Sequence, residues 1–284
     1  MKIAVIPNTD KQKAVLCGTL IADILISSGA SVIVHEALMA DFKDKDVKFL
    51  PTYEEIFEEC DCAVTVGGDG TIIRSARLAA KSGKSILGVN LGRLGYVAEL
   101  EASEISMLSR LLTGDFETRE RMILDITVIH SDGSSETHLA VNDAVISRGS
   151  LSRIIDLDVY VEGEKISDYR ADGLLFSTPT GSTAYALSAG GPVIDPYLNL
   201  IELTPVCPHS LAARTVIFNE STVIHVVCNS PDTAFLTVDG QISVALKDSD
   251  TVRIKKSEFP LRMNVLKTTN FYKVAGDKLT QPNK

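Results

Sequence analysis

Residues 62–71 read CAVTVGGDGT, and this stretch decides the fold of the first half of the chain. Its apolar beginning, residues 62–66, is typical of a buried strand, and a helical pattern follows from about residue 71 to 82. In open parallel sheets, ligands bind beyond the carboxyl ends of the strands. Glycines let the backbone come close to a phosphate, and a helix N-terminus adds partial positive charge for an anion. The sequence therefore predicts a phosphate-binding turn with four members: Gly67, Gly68, Gly70 and Thr71.

Asp69 lies among these glycines. A carboxylate would be out of place in a site that only holds phosphate, but it suits a site where a hydroxyl is oriented or deprotonated, or where a metal is held. The alternative is an ordinary strand-to-helix turn, with Asp69 or Thr71 capping the helix. The chain lacks Gly-x-x-x-x-Gly-Lys-Ser/Thr, so the pattern does not predict a P-loop.

Strands and helices alternate on both sides of this turn. Further strands are predicted at residues 2–6, 31–35 and 85–90, and a helix at residues 12–28 is ended by Gly29. Strands that alternate with helices predict a parallel sheet with right-handed crossovers.

The pattern changes near residue 115, where short β-rich segments separated by turn residues begin. Residues 123–130 and 138–146 flank a turn at residues 131–134 and predict a hairpin. We therefore predict an α/β domain with a parallel sheet at residues 1–119, followed by a mostly antiparallel, β-sandwich-like domain at residues 120–260. We expect the last segment, about 261–284, to pack back on the first domain.

The composition narrows the classes of partner. The 284 residues carry a formal net charge of −9, which argues against a nucleic-acid or anionic-membrane binder. The apolar N-terminal run is too short for a signal peptide, and no apolar stretch approaches the roughly 18 residues that a membrane helix needs. Five scattered cysteines without zinc spacing favour reduced thiols. These observations predict a cytoplasmic protein.

A second polar motif, Asn142-Asp143, interrupts the apolar run at residues 139–146. An amide beside a carboxylate could hold both hydroxyls of a ribose. Adjacent side chains of a strand point to opposite faces unless a bulge or bend redirects them. An ordinary turn is the alternative, because Asn-Asp is also good turn chemistry.

A third motif is rich in hydroxyl groups. It begins with RADG at residues 170–173 and continues with STPTGSTAY at residues 177–185 and SAGGP at residues 188–192. Such a segment can place several O–H and N–H donors around a sugar and a base. The alternative is a solvated Ser/Thr loop, although the apolar strand LLF at residues 174–176 argues against disorder.

Taken in order along the chain, these motifs resemble the NAD kinase family. The resemblance rests on GGDGT at residues 67–71, VND at 141–143, DG at 172–173 and TGSTAY at 180–185, supported by LGRLGY at 91–96 and LTPVCPH at 203–209. It covers roughly residues 60–245. Lipid kinases and phosphofructokinases carry similar glycine-aspartate turns, so the ordered set is more specific than the first motif.

The resemblance implies a role for each matching residue. Asp69 would act on the 2′-hydroxyl of the adenosine ribose, with Gly70 beside it against the ligand. Asn142-Asp143 matches the family's Asn-Glu pair, with a side chain one methylene shorter at Asp143. Arg170 and Asp172 match positions near the nicotinamide. The stretch that wraps the adenosine includes Thr183, Ala184, Tyr185 and Ser188, and further substrate contacts are implied at Arg74, Arg153 and Gln241.

The activity that the resemblance implies is transfer of the γ-phosphoryl group of ATP, or of a phosphoryl group of polyphosphate, to NAD. A divalent cation, Mg²⁺ above all, would arrive with ATP, and no protein metal site is expected. Members of the family are usually homo-oligomers, so the resemblance also implies a homo-oligomer, either a dimer or a tetramer.

Three alternatives share parts of this pattern. A lipid kinase of the diacylglycerol or sphingosine type has the same first motif, but the acidic chain shows no basic amphipathic helix for docking on a membrane. A non-catalytic dinucleotide sensor would not need Asp69. A Rossmann dehydrogenase would carry Gly-x-Gly-x-x-Gly after the first strand, where this chain has PNTD at residues 7–10.

Overall fold

The computed structural model describes residues 1–92, 95–149, 154–229, 233–267 and 270–280. The chain divides into two compact units. Unit 1 comprises Met1–Glu120 and Phe259–Lys284, and unit 2 comprises Arg121–Glu258.

Unit 1 begins with alternating strands and helices. In chain order these are β1 (Lys2–Pro7), α1 (Gln12–Ser27), β2 (Ser31–His35), β3 (Val47–Leu50), α2 (Tyr53–Glu59), β4 (Cys62–Gly67), α3 (Asp69–Lys81), β5 (Ser85–Asn90), β6 (Leu100–Glu101), α4 (Arg110–Thr113) and β7 (Glu117–Arg121). Short 3-10 turns lie at Glu36–Leu38 and Ala102–Ser109.

Unit 2 is built from strands. They are β8 (Leu124–Ile129), β9 (Ser135–Ala140), β10 (Asp143–Arg148), β11 (Ile155–Val161), β12 (Glu164–Ala171), β13 (Gly173–Ser177), β14 (Leu200–Val206), β15 (Val216–Asn219), β16 (Ile224–Cys228), β17 (Ala234–Val238), β18 (Ile242–Leu246) and β19 (Thr251–Lys256). A 3-10 turn at Thr180–Thr183 and the helix α5 (Tyr185–Ser188) follow β13. The chain then returns to unit 1 with β20 (Leu261–Val265) and α6 (Phe271–Thr280).

The sheet of unit 1 has the strand order β3-β2-β1-β4-β5-β20-β7, and β6 also pairs with β5. The neighbours from β3 to β20 run parallel, as the alternating pattern predicts. All six residues of β4 are buried, which is typical of a strand covered on both faces. Gly29 ends α1 as expected, since it adopts the left-handed φ of 91° that glycine tolerates.

The strand β3 and the helix α2 are among the elements of unit 1 that the sequence analysis did not predict. The strand β3 is an edge strand of four residues, and none of them is fully buried, so it lacks a clear apolar signal. The helix α2 has seven residues, which is too short for a helical period to stand out. The helix α3 also begins at Asp69, two residues before its predicted start.

Unit 2 contains two six-stranded antiparallel sheets, with orders β15-β14-β13-β10-β17-β18 and β12-β11-β16-β19-β8-β9. One hydrophobic cluster draws on both sheets, for example Ile126 of β8 with Phe176 of β13. Buried residues alternate with more exposed ones along β11, as expected for a sheet with one face in the core. The predicted fold class, a parallel α/β unit and an antiparallel β unit, is confirmed.

The predicted strand at residues 138–146 is wrong in one respect. The hairpin of β8 and β9 exists, but β9 ends at Ala140 and β10 begins at Asp143 in the other sheet. Val141 and Asn142 carry the chain across. The apolar residues on both sides of Asn142-Asp143 hid this crossover, because both segments are buried in the same core.

No helix in the described ranges combines the length and apolar character needed to cross a membrane.

Candidate active site

The turn between β4 and α3 brings the glycines of the first motif to the carboxyl end of a central strand of the unit 1 sheet. Gly67 is explained by packing, since a Cβ there would lie 2.6 Å from Oγ1 of Thr71. Gly68 and Gly70 have negative φ, and a Cβ at either would meet nothing within 4 Å. Neither backbone strain nor internal packing therefore explains these two glycines, whereas the close approach of a ligand would.

Asp69 is the first residue of α3 and is half-buried. The residue at the helix cap is Gly68, whose carbonyl accepts the N–H of Thr71 over 2.9 Å, so Asp69 and Thr71 do not cap the helix. Oδ2 of Asp69 accepts the backbone N–H of Tyr96 over 3.0 Å. Oδ1 is buried and has no hydrogen-bond partner. One oxygen thus orients the carboxylate, and the other is left to accept a proton or a hydrogen bond.

Gly95 makes this orientation possible. A Cβ at Gly95 would collide with the carboxylate of Asp69. The segment with Gly95 and Tyr96 was noticed in the sequence only as part of the family resemblance, and the hydrogen bond to Asp69 spans 27 positions. Such a contact leaves no local signal in the sequence.

A small cleft of unit 1 lies on the other side of the same turn. Thr71 and Arg74 of α3 line it together with Asn8, which follows β1. Nδ2 of Asn8 donates to Oγ1 of Thr71 over 3.0 Å. Arg74 is exposed, and its charge acts on Tyr53, where burial raises the pKa of the phenol and the guanidinium lowers it. Arg74 therefore supplies positive charge five residues after Asp69 on α3.

In unit 2, the crossover from β9 to β10 is held by a carboxylate that sequence reasoning missed. The backbone N–H groups of Val141, Asn142 and Asp143 donate to Asp239 over 3.1, 2.8 and 3.2 Å. Asp239 lies after β17 with a left-handed φ of 50°, and its own N–H donates to the carbonyl of Asp143. Asp239, the anchor of this crossover, lies 96 positions along the chain from Asp143, so no local pattern could reveal it.

Asp143 is buried beside this anchor, with 5% of its surface exposed. Burial, and then the negative charge of Asp239, raise its pKa to about 7, while a hydrogen bond from the backbone of Tyr185 lowers it. Oδ1 of Asn142 is also buried and lacks a hydrogen-bond partner. An unpaired amide oxygen beside a carboxyl group that titrates near neutrality can both accept hydrogen bonds from hydroxyls and donate to them.

These two residues line a cavity of about 450 Å³ within unit 2. Two other predicted substrate residues, Ala184 and Tyr185, line it as well. The structure therefore brings four residues of the second and third motifs together. The remaining lining residues are Val145, Ser147, Thr237, Asp239 and Gly240.

The hydroxyl-rich segment is ordered by its own hydrogen bonds. Ser182 is fully buried, and its hydroxyl donates to the carbonyl of Pro179 over 2.8 Å and accepts the N–H of Ile194 over 3.0 Å. Gly181 is required because a Cβ there would collide with the carbonyl of Asn142. Thr183 is half-buried and bonds back to Thr180 over 3.3 Å, and Ser188 is exposed at the end of α5. Much of this motif therefore supports the segment that carries the two lining residues Ala184 and Tyr185.

The remaining predicted residues lie elsewhere in unit 2. Arg170 is exposed and lines a second cavity of about 580 Å³ with His209 and Arg214. Asp172 accepts a hydrogen bond of 2.7 Å from Nε of Arg148, an ion pair that the sequence did not suggest. Gln241 is exposed in the turn between β17 and β18, next to the wall residue Gly240. Arg153 lies outside the described residues.

Two family models match most of the chain. The ATP-NAD kinase N-terminal domain matches residues 3–116, and the ATP-NAD kinase C-terminal domain matches residues 141–265. The chain is 38% identical over 282 residues to an NAD kinase of Acetivibrio thermocellus, with 98% of this chain and 97% of the relative covered. It is 41% identical over 228 residues to an NAD kinase of Geobacter sulfurreducens, with 80% of each covered.

Two solved structures have the same fold. Yeast NADH kinase in complex with NADH matches with a TM-score of 0.90 and 25% identity, over 98% of this chain and 87% of that one. An NAD kinase from Archaeoglobus fulgidus in complex with ATP matches with a TM-score of 0.76 and 26% identity, over 98% of both chains. With both family models and near full-length relatives in agreement, the chain belongs to the NAD kinase family.

Proposed function

We propose that this enzyme transfers the γ-phosphoryl group of ATP to the 2′-hydroxyl of the adenosine ribose of NAD, giving NADP and ADP. The observation that carries this proposal is the state of Asp69. Its carboxylate is fixed through one oxygen by the N–H of Tyr96, and its other oxygen is unpartnered. The family matches favour NAD as the acceptor and give the lipid-kinase alternative no support.

Asp69 aligns the 2′-hydroxyl and takes up its proton as the oxygen attacks phosphorus in line with the leaving ADP. Such a transfer depends on positioning and charge neutralisation more than on covalent help from the protein. Gly68 and Gly70 leave room for the phosphates beside the N-terminus of α3, where the helix dipole is positive.

Residues of unit 2 hold the dinucleotide. Asn142 and Asp143 bind ribose hydroxyls, and Ala184 and Tyr185 form the wall beside them. The acceptor oxygen of Asn142 and the mixed donor and acceptor character of Asp143 suit a vicinal diol. Five further substrate contacts are proposed from the motif match alone. They are Thr183, Ser188, Gln241, Arg170 and Asp172.

We expect the divalent cation to enter the site bound to ATP. In the described part of the chain, no group of three or more His, Cys, Asp or Glu side chains is placed to hold a metal ion. Mg²⁺ usually keeps several waters and is bound largely through substrate phosphates, so it can enter the site with ATP without a dedicated protein cage. The cation would neutralise negative charge on the phosphates.

The proposal includes a homo-oligomer, a dimer or tetramer, in the cytoplasm. The five cysteines are all free thiols, in keeping with a reducing compartment. Sedimentation velocity of the purified chain measures the assembly. Polyphosphate in place of ATP is the second phosphoryl donor to try.

The test is to incubate the purified enzyme with ATP, Mg²⁺ and NAD and to quantify NADP, with the 2′-deoxyadenosine analogue of NAD as the matched acceptor. A site built around a hydroxyl rejects an analogue that lacks it by a factor on the order of 10⁴ or more. We expect NADP from NAD and no phosphorylated product from the analogue. Phosphorylation of the analogue would place the reaction at another hydroxyl, and turnover of a long-chain diol instead of NAD would restore the lipid-kinase alternative.

A further inference from the structure

The C-terminal helix α6 places a lysine next to the turn that carries Asp69. Nζ of Lys278 lies 3.9 Å from the centroid of the Tyr96 ring. The backbone N–H of the same tyrosine is the donor to Asp69, over 3.0 Å. All three residues belong to unit 1. A single residue thus contacts the candidate base with its backbone and an ammonium group with its ring.

The charges of these groups influence one another. Burial lowers the pKa of Lys278, and the negative charge of Asp69 raises it. Burial also raises the pKa of Tyr96, and Asp69 adds to that effect. The ammonium is therefore partly stripped of water and lies within the field of the carboxylate, yet the two groups form no ion pair.

The ammonium of Lys278 and the carboxylate of Asp69 both have hydrogen-bonding capacity that is not used. Within the described part of the chain, the ammonium of Lys278 donates no hydrogen bond, and its contact with the ring face consumes none of its three N–H donors. Oδ1 of Asp69 is buried without a partner. An ammonium and a carboxylate that both contact Tyr96 without bonding to each other can bind a third group that needs both a donor and an acceptor.

A phosphoryl group in transfer to a hydroxyl is such a group. Its equatorial oxygens need positive donors, and the attacking hydroxyl needs an acceptor for its proton. The geometry points to Lys278 as a catalytic residue of the transfer, with its ammonium on the oxygens of the γ-phosphoryl group beside Asp69. This inference rests on the proposed function.

The step balances without any further reactant. The bond between γ-phosphorus and the β,γ-bridging oxygen breaks, and its electron pair leaves on the ADP oxygen. The bond between the ribose 2′-oxygen and phosphorus forms, and the hydroxyl proton moves to Asp69. Lys278 stays protonated throughout and neutralises charge on the equatorial oxygens.

Lys278→Gln tests this role, and Lys273→Gln is the matched control, because Lys273 is exposed on the same helix. Removing one preorganised donor from such a site typically lowers kcat by about 10²–10³-fold. We expect a fall of that size for Lys278→Gln, with the KM for NAD within about threefold of wild type, and partial recovery in Lys278→Arg. Lys273→Gln should keep the wild-type kcat.

Thermal melts of both variants separate catalysis from packing of α6. A lysine that only tethers the helix would lower the melting temperature, and the remaining folded enzyme would keep its kcat. That result, or a kcat for Lys278→Gln within about threefold of the Lys273→Gln control, would overturn the inference. It would leave the proposed function standing, since that function is tested on the wild-type enzyme with NAD and its 2′-deoxyadenosine analogue.

Discussion

The aspartates of the first two polar motifs lie in contrasting environments. Asp69, at the carboxyl end of a parallel strand, is half-buried, with one oxygen fixed and the other unpartnered. Asp143, at a crossover between antiparallel sheets, is 5% exposed, and its pKa is raised to about 7. The same residue type thus serves as a rim carboxylate in unit 1 and as a buried, titrating carboxyl group in unit 2.

The surroundings explain the difference. The helix α3 begins at Asp69 and presents the positive end of its dipole there, together with glycines that leave space. Asp143 instead lies against the core of a β-sandwich and faces a second carboxylate, that of Asp239. Three backbone N–H groups satisfy the charge of Asp239, and no comparable set surrounds Asp143 in the described residues. Burial beside the charge of Asp239 therefore raises the pKa of Asp143.

The largest expected effect comes from Asp69→Asn, which removes the proposed base of unit 1. The amide can still accept the N–H of Tyr96, but it cannot take up a proton. We expect kcat to fall by about 10²–10⁴-fold, a barrier roughly 3–5 kcal/mol higher, while the fold survives. Steady-state kinetics with the exposed Asp46→Asn as control measure this effect. Activity within about threefold of the control would remove Asp69 from the mechanism.

The next effect concerns the anchor of the crossover. Asp239→Ala leaves three backbone N–H groups without their acceptor, and hydrogen bonds to a charged group contribute about 1.5–3 kcal/mol each. Since water can replace part of the loss, we expect the free energy of unfolding to fall by about 2–4 kcal/mol. Urea denaturation followed by circular dichroism measures it, with the exposed Asp248→Ala as control. Equal stability of the two variants would show that Asp239 does not hold the crossover.

A third effect is a dependence of stability on pH, and it sharpens the contrast between the two aspartates. Because the pKa of Asp143 is raised from 3.8 to about 7 on folding, the folded state binds more protons than the unfolded state between these values. The contribution to stability is complete below pH 4 and is lost as the pH rises towards 7. We expect wild type to lose up to about 1.4 kcal/mol per pH unit relative to Asp143→Asn in this window.

Urea unfolding of the free protein at pH 4.5, 5.5, 6.5 and 7.5 gives this difference directly, since all other titrating groups are common to both proteins. A constant difference across the series would contradict the raised pKa. A difference that grows in the opposite direction, with wild type gaining on Asp143→Asn as the pH rises, would show that Asp143 is stabilised as a carboxylate.

Local patterns predicted a large part of this molecule. The strands β1, β2, β4 and β5 and the helix α1 follow from apolar runs and helical spacing, because these signals depend on neighbours in sequence. The position of Asp69 at a turn was also readable, since glycine has distinct backbone preferences. The crossover at Asn142-Asp143 was predicted only as the alternative to a continuous strand. The short elements β3 and α2 were not readable, because four and seven residues give too weak a period.

By itself, the sequence determined the order of the motifs, the parallel and antiparallel halves and the residue types available for chemistry. Only the tertiary structure decided which of those residues meet. The N–H of Tyr96 on Asp69, the carboxylate of Asp239 under residues 141–143 and the ammonium of Lys278 on the Tyr96 ring all join distant parts of the chain. Electrostatic and hydrogen-bond energies depend on distances in space, and local sequence patterns do not encode contacts between residues so far apart along the chain.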